Sequence, residues 1–491
     1  MKTITEESLD FKTFEKTLFE IMCNIARELA HQYLLWRDES VMGLRDTNEY
    51  RLIGSRETTI KSLFGEIPYI RRYYKKKNGG YTFLLDEVMG IDGSFGLVSE
   101  NLAEQIVNEC ADKSFRKAAE TIGTLTGQHI SAMGAWGVVQ QYGTAIEHQE
   151  NRIVQLSENG SVGHLGGHKE SVVFDEYDDL WIPRQRARRR KPGTAAKGAK
   201  KIGKKLGKLP MHVGIAYTGW SQSKDGRYNT ENKIAYASFG RASEFTAKFE
   251  ALLAQHFDMN GVQQRVTNGD GESWIRTAAE LNDSILQLDP FHRSQAVTKA
   301  IADKKDRKMV FDAIDEKDLD EVLEIICDLT MEAEEEKAQN KLVELYHYFN
   351  NNSDSFLTWQ ERGIDLPKPP EGVIYREMGV AESSNCLITQ RMKNRRASWS
   401  ERGANNMAKI LCYRGTIGLD AILGVLPEPE PINQMFAQPL SAAKVPLRDG
   451  KGYGADWLQK PMPFEGAFRT HGRDAIRGML RMKPVSQLSF I

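Results

Sequence analysis

The chain has 491 residues, of which 40% are hydrophobic and 27% charged, with a formal net charge of −1. This composition is that of a globular protein of roughly two to four domains, at about 100–200 residues each. We expect no membrane span and no signal peptide, because apolar runs are short and the N-terminus is polar and acidic. The five cysteines are far apart, which argues against a zinc site or disulfide framework and indicates a reducing, cytoplasmic setting.

The first predicted element is an amphipathic helix over residues 10–36. Its apolar residues recur at spacings of three and four, the period of one helix face: Phe11, Phe14, Leu18, Ile21, Ile25 and Leu29. Two interpretations stay open, a helix that packs within its own domain or a seam for a second copy of the chain.

A β-hairpin is predicted over Thr59–Leu85, because two β-rich runs flank the turn Asn78-Gly79-Gly80. Basic residues alternate with tyrosines at its centre, a pattern that suits a nucleic-acid backbone. The candidate DNA contacts are Arg71, Arg72, Lys75, Lys76 and Lys77. A solvated hairpin tip would show the same pattern.

Residues 112–142 predict two helices across a tight turn. Ser114 and Ser131 can cap the two helices, and Gly127 can end the first. The spacing fits a helix-turn-helix whose second helix enters a DNA major groove. A plain helical hairpin fits it equally, since Gly134 and Gly137 weaken the second helix.

The stretch Ser171–Ile182 predicts a strand with a buried interior. Apolar residues at both of its ends enclose four carboxylates in five positions: Asp175, Glu176, Asp178 and Asp179. Carboxylates are rarely buried unless they are paired or bind a metal. An edge strand with a solvated acidic face is the alternative.

A basic loop follows this strand: Arg184–Lys208 contains twelve Lys or Arg in 25 residues and no acid. Such a segment cannot form a core, so we expect a flexible loop that contacts a polyanion, with Arg188, Arg189 and Arg190 as DNA contacts. A solvated charge run without function is the alternative.

Strands and helices then alternate, which predicts an α/β fold, a mixed sheet with helical cover. The strands are Met211–Tyr217, Lys233–Phe239, Val262–Thr267 and Ser284–Leu288, and the helices are Glu244–Phe257 and Trp274–Leu281. A charged helical stretch continues to about Trp359, and a last helical run covers Ala381–Lys393. Beyond about Leu426 the Gly/Pro-rich remainder suggests a loosely ordered tail.

Three acids stand at the ends of these elements: Asp178, Asp270 (92 residues on) and Glu382 (a further 112 residues on). Without a Cys or His ligand set they favour Mg²⁺ or Mn²⁺. Two such ions, roughly 3.5–4 Å apart, clamp the attacking and leaving oxygens in phosphoryl transfer. Glu401 competes for the third position; we favour Glu382, because Arg391 and Lys393 on its helix could hold the scissile strand.

Seven motifs appear in one order over roughly residues 10–415. They are SLFGEIPYIRRYY with GGYTFLLDEVMG, SFRKAAE, FDEYDDLWI, NGDGESWI, LDPFH, AESSN followed by RMKNRRASWS, and ERGANNMAKI. In this order the chain resembles the RNase H-like DDE transposases of bacterial insertion sequences. The most similar group is that of the Lre-two type of element, with Mutator-like transposases as more distant relatives.

The resemblance implies that Asp178, Asp270 and Glu382 are catalytic and hold two Mg²⁺ or Mn²⁺ ions. The Asp-x-x-His signature implies supporting roles for Asp289 and His292. One departure is Asp179, which stands where a glycine is usual in that family. The implied activity is phosphodiester hydrolysis and strand transfer at the ends of an insertion element.

The expected partners are double-stranded DNA, both terminal inverted repeats and target, and further copies of the chain. An RNase H-like nuclease that cuts without joining and a DNA-binding protein that no longer transposes are the alternatives. The expected domains are an N-terminal helix and basic hairpin (1–100), a helix-turn-helix-like region (101–155), an RNase H-like core (160–425) with a helical insertion (about 291–370), and the tail (426–491).

Overall fold

Residues 10–91, 98–126, 129–158, 167–185, 207–395 and 397–420 are described by the computed structural model of the protein. They belong to two compact units, and the boundary between the units in the sequence lies between Gly93 and Ser94. Most of the predicted basic loop, including Arg188, Arg189 and Arg190, lies outside the described residues. So do Gly127 and the predicted C-terminal tail.

The first unit packs one long helix against an antiparallel sheet. Helix α1 (Phe11–Leu44) begins at Asp10, whose carboxylate accepts the N–H of Thr13 at 2.8 Å. The other elements are β1 (Tyr50–Ser62), β2 (Gly65–Lys76), β3 (Tyr81–Thr82) and α2 (Leu84–Met89). The core between helix and sheet contains Leu34, Ile60, Ile67, Tyr69 and Leu85.

The predicted turn at Asn78-Gly79-Gly80 does join two strands, but the second, β3, is only two residues long. The long hairpin pairs β1 with β2 from Tyr50 opposite Lys76 to Ser62 opposite Gly65. Its turn is Leu63-Phe64, followed by Gly65 at φ 125°. The prediction missed this turn because Leu and Phe carry no turn signal.

The second unit begins with three helices: α3 (Glu100–Asp112), α4 (Phe115–Thr126) and α5 (Ala132–Glu158). Ser114 and Ser131 cap α4 and α5, since their hydroxyls accept the N–H groups of Lys117 and Gly134 at 3.3 and 2.9 Å. The two predicted helices are therefore present. Helix α5 has 27 residues and runs well beyond the predicted end at residue 142.

A five-stranded mixed sheet follows, in the order β10-β9-β4-β5-β8. Strand β4 is antiparallel to β5, and β5 to β8, whereas β4 runs parallel to β9, and β9 to β10. The mixed α/β fold predicted from the element order is confirmed. The elements are β4 (Val172–Pro183), β5 (Lys208–Tyr217), β6 (Trp220–Gln222), β7 (Tyr228–Thr230), β8 (Ile234–Ser238), α6 (Ala242–His256), β9 (Gln264–Gly269), α7 (Ser273–Leu281) and β10 (Ile285–Leu288).

A helical region then packs around its own core, which includes Val297, Val310, Ile326 and Phe349. Its helices are α8 (Pro290–Ala300), α9 (Lys304–Asp315), α10 (Leu319–Glu332) and α11 (Glu336–Asn351). No helix in the described part of the chain is both long and apolar enough to span a membrane.

The remaining elements are β11 (Val373–Ile374), α12 (Val380–Ser384), α13 (Cys386–Met392) and α14 (Glu401–Gly415). The single helical run predicted over Ala381–Lys393 is thus two short helices. Helix α14 was not predicted as a core element, yet it packs on α5 and β8 and buries most of its residues.

Candidate functional site

Strand β4 separates its four carboxylates by depth and by face. Asp175 and Glu176 are fully buried, whereas Asp178 and Asp179 are partly exposed. Because successive side chains of a strand point to opposite faces, Glu176 and Asp178 share one face and Asp175 and Asp179 the other.

On the face of β4 that contains Asp175 and Asp179, basic side chains hold both carboxylates. Arg265 donates from Nη2 and Nε to Asp175 at 2.6 and 3.0 Å, and from Nη1 to Glu250 at 2.8 Å. Asp179 accepts a hydrogen bond from His212 Nδ1 at 2.7 Å, and this bond raises the pKa of His212. These contacts give Asp175 and Asp179 structural partners.

Glu176 holds the start of helix α12. Its carboxylate accepts the N–H groups of Gly379, Val380 and Ala381 at 3.0, 2.9 and 2.8 Å, and the hydroxyl of Tyr217 at 2.6 Å. A negative charge at the N-terminus of a helix pairs with its free N–H groups. Glu176 therefore fixes the segment that carries Glu382 against β4.

Asp178, two residues further on the same face, contacts that segment directly. Asn385 donates from Nδ2 to Asp178 Oδ2 at 2.6 Å, and His292 Nε2 lies 3.9 Å from Asp178 Oδ1. Burial raises the pKa of the Asp178 carboxyl, and the neighbouring Asp179 carboxylate raises it further. The ionised form of Asp178 is therefore unfavourable in its polar, partly buried position.

Asp270 lies beside Asp178 because of the strand register. Glu176 stands opposite Asn268 in the parallel pair β4 and β9, so both aspartates follow two residues later at the same level, where β9 ends and β4 continues to Pro183. Burial raises the pKa of Asp270, and the carboxylates of Asp178 and Asp179 raise it as well. The charge of His292 and a backbone hydrogen bond from Glu272 lower it.

Asp289 positions His292. One oxygen of Asp289 accepts the N–H groups of Phe291 and His292 at 2.7 and 3.3 Å, capping α8. The other accepts Asn268 Nδ2 on β9 at 2.7 Å. The Asp-x-x-His spacing therefore ties the first turn of α8 to β9 and holds His292 within reach of Asp178.

The two candidates for the third acid lie in different places. Glu382 is exposed in the first turn of α12, three residues before Asn385. Glu401 lies in the first turn of α14, 3.5 Å from Arg184 just beyond the end of β4. At about 3.3 Å per residue, Arg184 is roughly 20 Å along the strand from Asp178. Of the two, Glu382 is on the segment that reaches Asp178.

Within the described ranges, no three His, Cys, Asp or Glu side chains are grouped closely enough to hold one metal ion. Nor does a described hydrogen bond or ion pair join Glu382 to Asp178 or Asp270. The structure brings together Asp178, Asp270, His292 and Asn385. Glu382 lies on the adjoining helix.

The predicted DNA contacts of the basic hairpin are mostly paired with acids. Arg71 pairs with Asp86 and lies 3.9 Å from the ring centre of Phe83, and Arg72 pairs with Asp38 and Glu39. Lys76 and Lys77 lie 3.4 and 3.3 Å from Glu87 and Glu49. Lys75 is exposed and has no acidic partner among the residues described in this hairpin.

Arg391 is buried rather than open to a DNA strand. Its Nε donates to the carbonyl of Cys110 at 2.8 Å, and its guanidinium lies over the rings of Phe115 and Trp399. Burial lowers the pKa of Arg391. This position gives Arg391 a packing contact, while Lys393 is exposed.

Residues 4–420 match the uncharacterised protein family UPF0236. The chain belongs to this family. A UPF0236 protein of Caldanaerobacter subterraneus subsp. tengcongensis is 24% identical over 358 residues, which are 72% of this chain and 67% of that protein. One of Streptococcus gallolyticus is 25% identical over 414 residues, 82% of this chain and 80% of that protein.

Among solved structures, a chain of a pre-cleavage Mos1 transpososome aligns with 52% of this chain and 78% of that chain. Its sequence identity is 9% and its TM-score 0.13. A chain of the Mos1 strand transfer complex aligns with a TM-score of 0.12. These scores are too low to indicate a shared fold.

Two residues of this UPF0236 chain were missed by sequence reasoning, Glu176 and Asn385. Glu176 is one of four acids within five positions, and nothing local distinguishes the acid that anchors α12 from its neighbours. Asn385 follows Glu382 by three residues, one helical turn, so the helical period could have brought it onto the same face.

Proposed function

We propose that the protein is a DDE-type DNA transposase that hydrolyses a phosphodiester at the ends of an insertion element and joins that end to target DNA. One observation carries the proposal. Asp178 lies within β4 and Asp270 directly after the parallel neighbour β9, the charge of Asp178 raises the pKa of Asp270, and His292 lies beside Asp178. Such a carboxylate pair on adjacent strands is a position where catalytic acids hold metal ions.

The strand order supports an RNase H-like sheet, the finer fold within this proposal. Three antiparallel strands, β4, β5 and β8, are followed by a helix and β9, then a helix and β10, both added in parallel on the other side of β4. The first aspartate is then on the central strand and the second on its parallel neighbour.

The side chains fit hard cations such as Mg²⁺ or Mn²⁺, because the available donors are carboxylate and amide oxygens. The buried Asn385 Oδ1 has no hydrogen-bond partner, so an acceptor oxygen next to Asp178 is left unsatisfied. Asp178 and Asp270 would hold the ions, with Glu382 as the third acid. When bound, the ions would stabilise the charge on the attacking and leaving oxygens.

The chain's own residues would orient the carboxylates and hold the DNA. Asn385 orients Asp178 by donating a hydrogen bond to its Oδ2. Asp289 orients His292 by accepting its backbone N–H at the start of α8. The exposed Lys75 and Lys393 and the basic segment from Arg184 to Lys208 are the candidates for phosphate contacts.

Helices α4 and α5 would serve as the helix-turn-helix. The first turns of α5 expose Met133 and Trp136, so this end of the helix is open to a partner. The remainder of α5 is packed against α6 and α14, which would connect DNA recognition to the sheet.

The proposal is tested with DNA that carries the sequences flanking the gene. We expect the purified protein to cleave at the element end in Mg²⁺ and to join a pre-cut end with a free 3′-hydroxyl to a plasmid. Asp178→Asn should abolish both reactions and leave end binding intact, and the exposed Glu401→Gln is the matched control. Cleavage without joining would indicate the nuclease, and binding without either reaction would indicate the non-transposing protein.

A further inference from the structure

Helix α1 has one face that packs on its own sheet and an opposite face that is apolar and exposed. The packed face buries Leu34, Asp38 and Val41, all in the second half of the helix. The exposed large apolar side chains run along the whole helix: Phe11, Phe14, Leu18, Phe19, Ile21, Met22, Leu29, Tyr33 and Trp36. We call this set the α1 stripe.

The geometry of the helix separates the two faces. At roughly 100° per residue, Leu18, Leu29 and Trp36 lie within about 20° of one another around the axis. Leu34, Asp38 and Val41 lie roughly 160° away on the same count. The stripe therefore points away from the sheet that the helix packs on, and the described residues of the first unit leave it uncovered.

The size of the stripe is that of an interface. Phe11 is 75% exposed, Leu29 64% and Met22 53%. With side chains of about 150–200 Å² roughly half exposed, the stripe presents on the order of 700 Å² per copy. Stable protein interfaces bury about 800 Å² per partner. A soluble chain rarely leaves an apolar patch of this size open to water.

We infer that the α1 stripe is the surface through which a second copy of this chain binds, helix against helix. Its apolar residues recur at spacings of seven, as in 11-18-25 and 22-29-36, the repeat by which like helices pack along their length. The same surface on both partners makes an isologous, two-fold symmetric interface that closes on itself.

The proposed function gives this dimer a use, although the inference stands on the stripe alone. Terminal inverted repeats are related by two-fold symmetry, and a two-fold symmetric protein presents its DNA-binding surfaces in the matching arrangement. The dimer would then hold both ends of one element.

The test measures the mass of the full-length protein by light scattering after size exclusion, without DNA or metal. We expect the wild type to be a dimer at micromolar concentration and the double variant Leu18→Lys/Leu29→Lys to be a monomer. The matched control is Glu20→Lys, an exposed position on the opposite side of the helix, which should stay dimeric. Far-UV circular dichroism and the melting temperature check that each variant is folded.

A monomeric wild type, or a double variant that stays dimeric, would overturn the inference. If the lysine variant does not fold, Leu18→Gln/Leu29→Gln replaces it, with a weaker dimer as the expected result and unchanged mass as the contradiction. Because no DNA cleavage is measured, this result is separate from the proposed function: Asp178→Asn should leave the dimer unchanged.

Discussion

At the scale of single residues, the candidate site is defined by what each carboxylate touches. Asp175 and Asp179 have basic partners, and Glu176 has the start of α12. Asp178 and Asp270 have an amide, a histidine nearby and each other. Among the described residues neither of these two acids has a lysine or arginine partner, which leaves both open to a bound cation.

Replacing these acids should therefore stabilise the metal-free protein. Because burial raises the pKa of both carboxyls, their ionised forms are unfavourable in the folded protein at neutral pH. We expect Asp178→Asn and Asp270→Asn each to raise the melting temperature by a few degrees without metal, and to lose the further rise that Mg²⁺ gives the wild type.

The raised pKa values also determine how this difference in stability changes with pH. As pH falls through the raised pKa values towards the ordinary carboxylate range, the wild-type carboxyls take up protons and the destabilisation disappears. The difference in melting temperature between wild type and variants should shrink with it. Scanning calorimetry with EDTA and with Mg²⁺ across this range is the measurement. A Mg²⁺-dependent rise that persists in both variants would contradict the assignment.

A second prediction for a single residue concerns the role of Asn385 in metal binding. Its amide holds Asp178 Oδ2, so Asn385→Ala should weaken Mn²⁺ binding roughly 10- to 100-fold, as loss of a residue that orients a metal ligand does. Ser383→Ala is the matched control, because Ser383 is exposed on the neighbouring α12 and its hydroxyl donates to the carbonyl of Val380. Electron paramagnetic resonance of Mn²⁺ measures the affinity directly. Equal affinities for Asn385→Ala and Ser383→Ala would rule out the positioning role.

At the scale of elements, helix α14 is joined to α5 by a buried charge pair. Lys409 is fully buried and donates to Glu150 at 2.5 Å, and Tyr413 donates to the same carboxylate at 3.0 Å. Removing one partner of a buried pair leaves the other charge poorly compensated, which costs about 3–5 kcal/mol. Without Lys409, Glu150 would keep only Lys248, 3.9 Å away, as a cation among the described residues, so we expect the lower end of this range.

We therefore expect Lys409→Met to lower the free energy of unfolding by about 3–5 kcal/mol, and Glu150→Gln/Lys409→Met to lower it by less. Lys308→Met is the control, because Lys308 makes an exposed pair with Asp312, where a change of under about 1 kcal/mol is expected. Urea unfolding measures all three. A double variant less stable than the single one would show that the pair itself stabilises the fold.

The pair of Lys409 and Glu150 also shows why part of the fold could not be predicted from the sequence. Hydrophobic runs and the turns between them predicted the central strands, because a buried strand consists of consecutive apolar residues that are recognisable locally. Helix α14 was missed as a core element because its buried face includes Asn406 and Lys409. Their partners on α5, Gln140 and Glu150, are more than 250 residues away in the chain.

The site was predictable to a similar degree. Spacing and resemblance singled out Asp178 and Asp270, and the strand register brings them side by side. The anchoring of α12 by Glu176 could not be predicted, because it depends on backbone N–H groups about 200 residues away. The pairing of Arg71 and Arg72 with acids of α1 and α2 also depends on contacts that local charge patterns do not contain.

At the scale of the whole molecule, the features that the proposed function uses are distributed over both units. The first presents the α1 stripe and the basic hairpin, and the second contains the α4–α5 pair and the sheet with its two aspartates. This division fits a protein that must assemble, recognise DNA and react with it. In the proposed function the reaction depends on Asp178 and Asp270.

The most direct test is single-turnover cleavage of a labelled element end in Mg²⁺, with binding measured on the same DNA. We predict that Asp178→Ala and Asp270→Ala each reduce the cleavage rate at least about 10³-fold while DNA affinity changes little, because in the proposed reaction these carboxylates would act at the reacting phosphate and not in base recognition. Cleavage by either variant at a rate near that of the wild type would exclude a catalytic role for that aspartate.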